Sequence, residues 1–138
     1  MKNNEVKDWM SSDPVVIPSG VAILEAHQLM KTKNIRRIPV IDNGELVGIV
    51  SLGDIQEAEP SDAISLSIYE LNYLIAKLTV ADLMTSDVIT VSLDTKLHDV
   101  AQIMLEKKIG GLPVMSDGKV VGIITESDVF RAVMEILD

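Results

Sequence analysis

GIVSLGD (Gly48–Asp54) and GIITESD (Gly122–Asp128) carry a glycine, two aliphatic residues, a hydroxyl residue and an aspartate at the same internal spacing, 74 residues apart. Sliding the chain on itself by that offset extends the match without a gap. Val6, Asp8, Met10 and Asp13 meet identical residues at Val80, Asp82, Met84 and Asp87. Gln28, Met30, Lys33 and Ile35 meet Gln102, Met104, Lys107 and Ile109, while Pro39, Val40, Gly44 and Val47 meet Pro113, Val114, Gly118 and Val121. A shared binary pattern of strands and helices would not fix Pro, Gly and Asp at matching places. The chain is therefore read as one unit written twice, too long and too few for a solenoid and suited to a pseudo-symmetric pair.

Each copy reads β-α-β-β-α, an α/β (α+β) class. In the second, VITV (Val88–Val91) predicts a strand, and Asp94 a cap for a helix whose apolar positions Leu97, Val100, Ala101, Met104 and Leu105 fall on one stripe. Gly110 and Gly111 are expected to end that helix. LPVM and VVGII follow as strands around the turn SDG, and Ser127–Leu137 as a closing helix. The first copy runs the same way, with Ser19 as cap, IPVI and LVGIV as strands and DNG as the turn. Its closing helix is interrupted at Pro60 and resumes from Ile64 to Leu78 with Tyr69 and Tyr73 one turn apart. The expected division is residues 1–59, a helical connector 60–79, and 80–138, together one globular module. Each half leaves a sheet face it cannot bury alone, so the halves are expected to pack sheet to sheet.

Composition narrows the function. The 138 residues are 47% hydrophobic but only 3% aromatic, so Ile, Val, Leu and Met build the core. With 21 Asp and Glu against 12 Lys and Arg, the net charge of −9 repels phosphate backbones and argues against nucleic acid as the main partner. With no cysteine, no basic-then-apolar leader and no bilayer-length apolar stretch, the chain is expected to be soluble and cytoplasmic. His27 and His98 stand without companions at ligand spacing, so no metal site is expected, and no nucleophile or catalytic acid–base pair is recognisable.

The candidate chemistry sits where strand becomes helix. Ser51 with Asp54, and Thr125 with Asp128, are compatible with helix capping. They are equally compatible with a sugar phosphate held by helix amides, a hydroxyl and a carboxylate. Gly48 and Gly122 fit either close strand packing or close approach of a ligand. Arg36 and Arg37 precede IPV and are either a solvated edge or a guanidinium pair for phosphates; their counterparts are Gly110 and Gly111. Met10, Met30, Met84 and Met104 read as core filler, the first and third with the option of lining a recess.

The duplicated unit, RIPV and GLPV before a hairpin, and the doubled glycine-aliphatic-aliphatic-hydroxyl-x-x-Asp motif resemble the cystathionine β-synthase (CBS) domain pair over nearly the whole chain. The resemblance implies a non-catalytic regulatory module with no required cofactor. It would bind an adenosine-containing ligand such as AMP, ADP, ATP, NAD or S-adenosylmethionine in the cleft between the repeats. Carried over by residue, one pocket would combine Ser51 and Asp54 with Ile89, Gly110 and Gly111. The other would combine Thr125, Ser127 and Asp128 with Val15, Arg36 and Arg37, and the guanidinium pair would make it the site for the more phosphorylated ligand. The resemblance further implies a homodimer through helix faces and, for a stand-alone pair, a regulated target on a separate chain. The alternative is a structural or oligomerisation module with unoccupied pockets.

Overall fold

The protein is seen here as a computed structural model that describes residues 4–58 and 67–138. Its elements are α1 (Val6–Trp9), β1 (Ser11–Ser12), α2 (Ile23–Lys33), β2 (Arg37–Asp42), β3 (Glu45–Ser51), α3 (Leu52–Glu57), α4 (Ile68–Ala76), α5 (Val80–Leu83), β4 (Val91–Ser92), α6 (Leu97–Lys107), β5 (Gly111–Ser116), β6 (Lys119–Thr125) and α7 (Glu126–Leu137). This is the mixed α/β composition expected from the sequence. The interruption at Pro60 and the start of the connector at Ile64 lie outside the described residues.

Both hairpins form because their turns can adopt left-handed backbone at two successive positions. Asn43 and Gly44 have φ of 52° and 80°, and Asp117 and Gly118 have 51° and 76°. That conformation matches the right-handed twist of the flanking strands. The closing pairs are Asp42 with Glu45 and Ser116 with Lys119, and each hairpin carries one register shift, after Val40 and after Val114. The two copies therefore repeat their irregularities as well as their regular structure.

Contacts divide the chain into two compact units, and the units do not follow chain order. One comprises Met1–Pro14 with Ile89–Asp138, the other Val15–Val88. In the first, β1 pairs antiparallel with β6 and β4 runs parallel to β5, giving the order β1-β6-β5-β4. The second has the same layout in reduced form: β2 pairs with β3, with single bridges from Ile17 to Val40 and from Thr85 to Ile49. The leading segment of each repeat thus lies in the unit built around the other repeat. Val6 is fully buried in the core with Val100, Leu112 and Ile124, and Val80 is fully buried with Ala26, Ile38 and Val50.

This exchange explains why Ser19 and Asp94 do not cap helices as expected. The first residues of α2 and α6 receive backbone acceptors from the exchanged segments: the Ile23 N–H donates to Leu78 O, and the Leu97 N–H to Asn4 O, each at 2.9 Å. The N-cap positions are Ala22 and Lys96, with no capping side chain. Ser19 instead donates its hydroxyl to Asp42 Oδ2 at 2.6 Å and its N–H to Oδ1 at 2.9 Å, and the Ser92 hydroxyl donates to Asp94 Oδ1. The α6 terminus also differs from expectation. Lys108, not a glycine, closes the helix in the left-handed region, as Asn34 closes α2, and of VITV only Val91 joins a strand.

Candidate functional site

Each hydroxyl–aspartate motif sits at a strand-to-helix junction fixed by its own hairpin. Ser51 ends β3 opposite Arg37, and Thr125 ends β6 opposite Gly111. The next residue is tied back to the start of the hairpin: the Leu52 N–H donates to Arg36 O at 2.8 Å, and the Glu126 N–H to Gly110 O at 3.0 Å. The residues before the proline strand therefore stand beside the hydroxyl and acid of the same unit.

Both acids close capping boxes. Asp54 Oδ2 accepts the Ser51 N–H at 2.8 Å, and the Ser51 hydroxyl oxygen accepts the Asp54 N–H at 3.1 Å. Asp128 Oδ2 accepts the Thr125 N–H at 2.8 Å and the Thr125 hydroxyl at 3.2 Å. The capping reading of these residues is realised, and it occupies one oxygen of each carboxylate. The second oxygens differ. Among the described residues no donor reaches Asp54 Oδ1, whereas Asp128 Oδ1 is paired with the Arg131 guanidinium one turn along α7. Arg131 was not in the expected set. Its signal is an opposite charge at i+3 on one helix face, and the position 74 residues earlier holds Glu57.

The remaining expected residues divide by unit. Val15 is half-buried, Arg36 exposed and Arg37 half-buried, and all three share the Val15–Val88 unit with Ser51 and Asp54. Ile89 and Gly110 are half-buried, Gly111 buried and Ser127 exposed, in the unit that holds Thr125 and Asp128. The structure thus sets the two arginines along the Ser51 hairpin and the two glycines along the Thr125 hairpin.

The repeated glycines serve chain packing. A Cβ on Gly48 would stand 2.5 Å from Met84 Sδ and 3.0 Å from Thr85 O; on Gly122 it would stand 2.6 Å from Met10 Sδ and 2.8 Å from Ser11 O. Each glycine admits the exchanged segment against a hairpin, so Met10 and Met84 pack over the glycines while Met30 and Met104 are buried. Among the described residues no group of three His, Asp or Glu is placed to hold a metal, and no helix is long and apolar enough to cross a membrane.

Comparison with known proteins assigns this doubled arrangement. The sequence profile of the CBS domain matches residues 6–61 and again 80–135. The structure superposes on the CBS domain pair of protein MJ0100, solved in complex with 5'-methylthioadenosine and S-adenosyl-L-methionine, with a TM-score of 0.79. The two are 32% identical, over 96% of this chain and 97% of that one. CBSX2, solved in complex with AMP, gives a TM-score of 0.79 at 34% identity over 99% and 100% of the two chains. A curated relative, the L-aspartate semialdehyde sulfurtransferase of Methanocaldococcus jannaschii, is 34% identical across 91% of this chain, which spans 22% of that protein. The chain spans between about a fifth and a half of the length of this and two further curated relatives, so an enzyme name there describes a much longer protein. Two profile matches, over residues 6–61 and 80–135, and relatives at these identities make one conclusion: the chain belongs to the CBS domain family, as a tandem pair.

Proposed function

We propose that the chain is a non-catalytic regulatory module that senses an adenosine-containing ligand. The observation that carries the reading is the likeness, over the full length of both chains, to a CBS pair crystallised with AMP. Asp54 and Asp128 are the acceptors for ribose hydroxyls, Ser51, Thr125 and Ser127 the hydroxyl donors, and Arg36 and Arg37 the cations for phosphates. Val15 and Ile89 supply apolar contact for the base, and Gly110 and Gly111 supply bare backbone. Sharing of these residues between the repeats, in the two sets given above, is part of the proposal. So is the preference of the Thr125 and Asp128 set for the more phosphorylated ligand, which Arg36→Ala with Arg37→Ala tests by the loss of ATP affinity relative to AMP.

The same proposal includes a cytoplasmic homodimer and a regulated target on a separate chain. Phe130, Val133, Met134 and Leu137 recur at i, i+3, i+4 and i+7 along α7 and are 42–78% exposed, a stripe that a second copy would cover.

A thermal-shift panel of AMP, ADP, ATP, NAD and S-adenosylmethionine tests the ligand reading. A ligand at a hundred times its dissociation constant stabilises the folded chain by about 2.7 kcal/mol. Asp54→Asn and Asp128→Asn should each weaken binding at their site about tenfold or more. The capping boxes favour a second reading, a structural or oligomerisation module whose acids only finish helices. Under that reading the Asn variants alter stability, and no nucleotide moves the melting curve.

A further inference from the structure

We propose that Arg131 is the internal occupant of the Asp128 carboxylate and makes the second repeat's site selective against uncharged diols. The inference rests on the adenosine-ligand reading and specifies how its two acids differ. The Asp128 side chain is 2% exposed, and both of its oxygens are engaged: Oδ2 by the Thr125 N–H and hydroxyl, Oδ1 by the Arg131 guanidinium. At Asp54, Oδ2 accepts the Ser51 N–H, no donor reaches Oδ1 among the described residues, and Glu57 stands at the position matching Arg131.

A ribose diol binds a carboxylate by donating hydroxyl hydrogens to it. At Asp54 the acceptor stands ready. At Asp128 the oxygen already carries a guanidinium that never deprotonates in this setting, so the diol must displace it. Displacement is feasible because the Arg131 side chain is 60% exposed and can swing into water. It costs a pair between an exposed cation and a buried anion, a handicap of about three- to tenfold in affinity. The handicap is smaller for a ligand that brings its own negative charge, because the released guanidinium then keeps a counter-charge nearby.

The test is calorimetric titration of adenosine and AMP into the full chain carrying Asp54→Asn, so that Asp128 alone reports, with and without Arg131→Ala. Adenosine should tighten about three- to tenfold when Arg131 is removed, and AMP by less. Adenosine affinity should rise with ionic strength only while Arg131 is present, a response that a merely structural role would not give. Arg131→Gln replaces the alanine variant if that one does not fold. The reverse experiment installs the competitor: Glu57→Arg in an Asp128→Asn chain should weaken adenosine at Asp54 by a similar factor. Unchanged adenosine affinity in both experiments, with binding intact, overturns the role of Arg131 and leaves the ligand reading standing. Absence of adenosine and AMP binding to the unmodified chain overturns the ligand reading itself, and this inference with it.

Discussion

Gly122→Ala is the sharpest test of why the repeated glycines are there. The new Cβ would lie 2.8 Å from Ser11 O, an oxygen on the backbone of β1, and 2.6 Å from Met10 Sδ. A carbon meets a carbonyl oxygen comfortably at about 3.3 Å or more, so the β1 backbone must retreat by roughly 0.5 Å. Met10 can rotate away, but Ser11 is held in register with Ile123, and Ser12 with Gly122. Overpacking of this kind costs about 1–3 kcal/mol, and a backbone neighbour puts it in the upper half of that range. Against it stands a gain of about 0.5–1 kcal/mol, because alanine loses less conformational freedom than glycine on folding. The net expectation is a loss of about 2 kcal/mol. Urea unfolding of the ligand-free protein should show it as a midpoint lower by about 1 M with unchanged slope. Adding Met10→Ala should recover the sulfur's share and leave the oxygen's. Gly48→Ala should cost less, since its backbone neighbour, Thr85 O, stands at 3.0 Å. A midpoint for Gly122→Ala within experimental error of the unmodified chain would refute the packing role.

Three further expectations are independent of that one. Val6→Ala and Val80→Ala each remove two buried methyl groups from a fully enclosed site and should each cost about 2 kcal/mol in chemical denaturation, equal losses at equivalent places. Hydrogen bonds from the Ser19 hydroxyl and N–H hold the Asp42 carboxyl below the usual aspartate range. Its contribution to stability is therefore present above that range and is lost as pH falls through the depressed value. The gap between the unmodified chain and Asp42→Asn should accordingly be open at neutral pH and close on acidification, measured by denaturation across pH. Under the proposed pairing of two copies through α7, Phe130→Glu with Met134→Glu should give a monomer in size-exclusion chromatography with light scattering while leaving the melting temperature of dilute protein nearly unchanged, since both side chains are exposed.

The hairpins and the duplication were legible in the sequence because their causes are local. Asn-Gly and Asp-Gly between two apolar runs favour the positive φ of a tight hairpin turn, and identical Pro, Gly and Asp at a constant offset need no tertiary context. The helix starts were misread for the opposite reason. Ser19 and Asp94 look like caps when only neighbours in sequence are weighed, yet the donors they would have served are met by Leu78 O and Asn4 O, more than fifty residues from the first residue of the helix in one case and more than ninety in the other. The end of α6 fell earlier than Gly110 because Lys108 takes up the left-handed turn. At the site, the motif and its capping geometry were readable from Ser51, Asp54, Thr125 and Asp128. The difference between the two acids was not, since it lies in a single ion pair whose matching position carries the opposite charge.

The crossed leading segments carry a consequence for any attempt to simplify this molecule. A chain cut down to one repeat would own an arm with no berth and a berth with no arm, with Val6 or Val80 stripped of its surroundings. Two such fragments satisfy each other only by reciprocal donation, which makes their folding second order in concentration. Joining them in one polypeptide replaces that encounter with a tethered one at an effective concentration on the order of millimolar. Covalent linkage of the repeats is thus what lets a single chain complete itself when dilute.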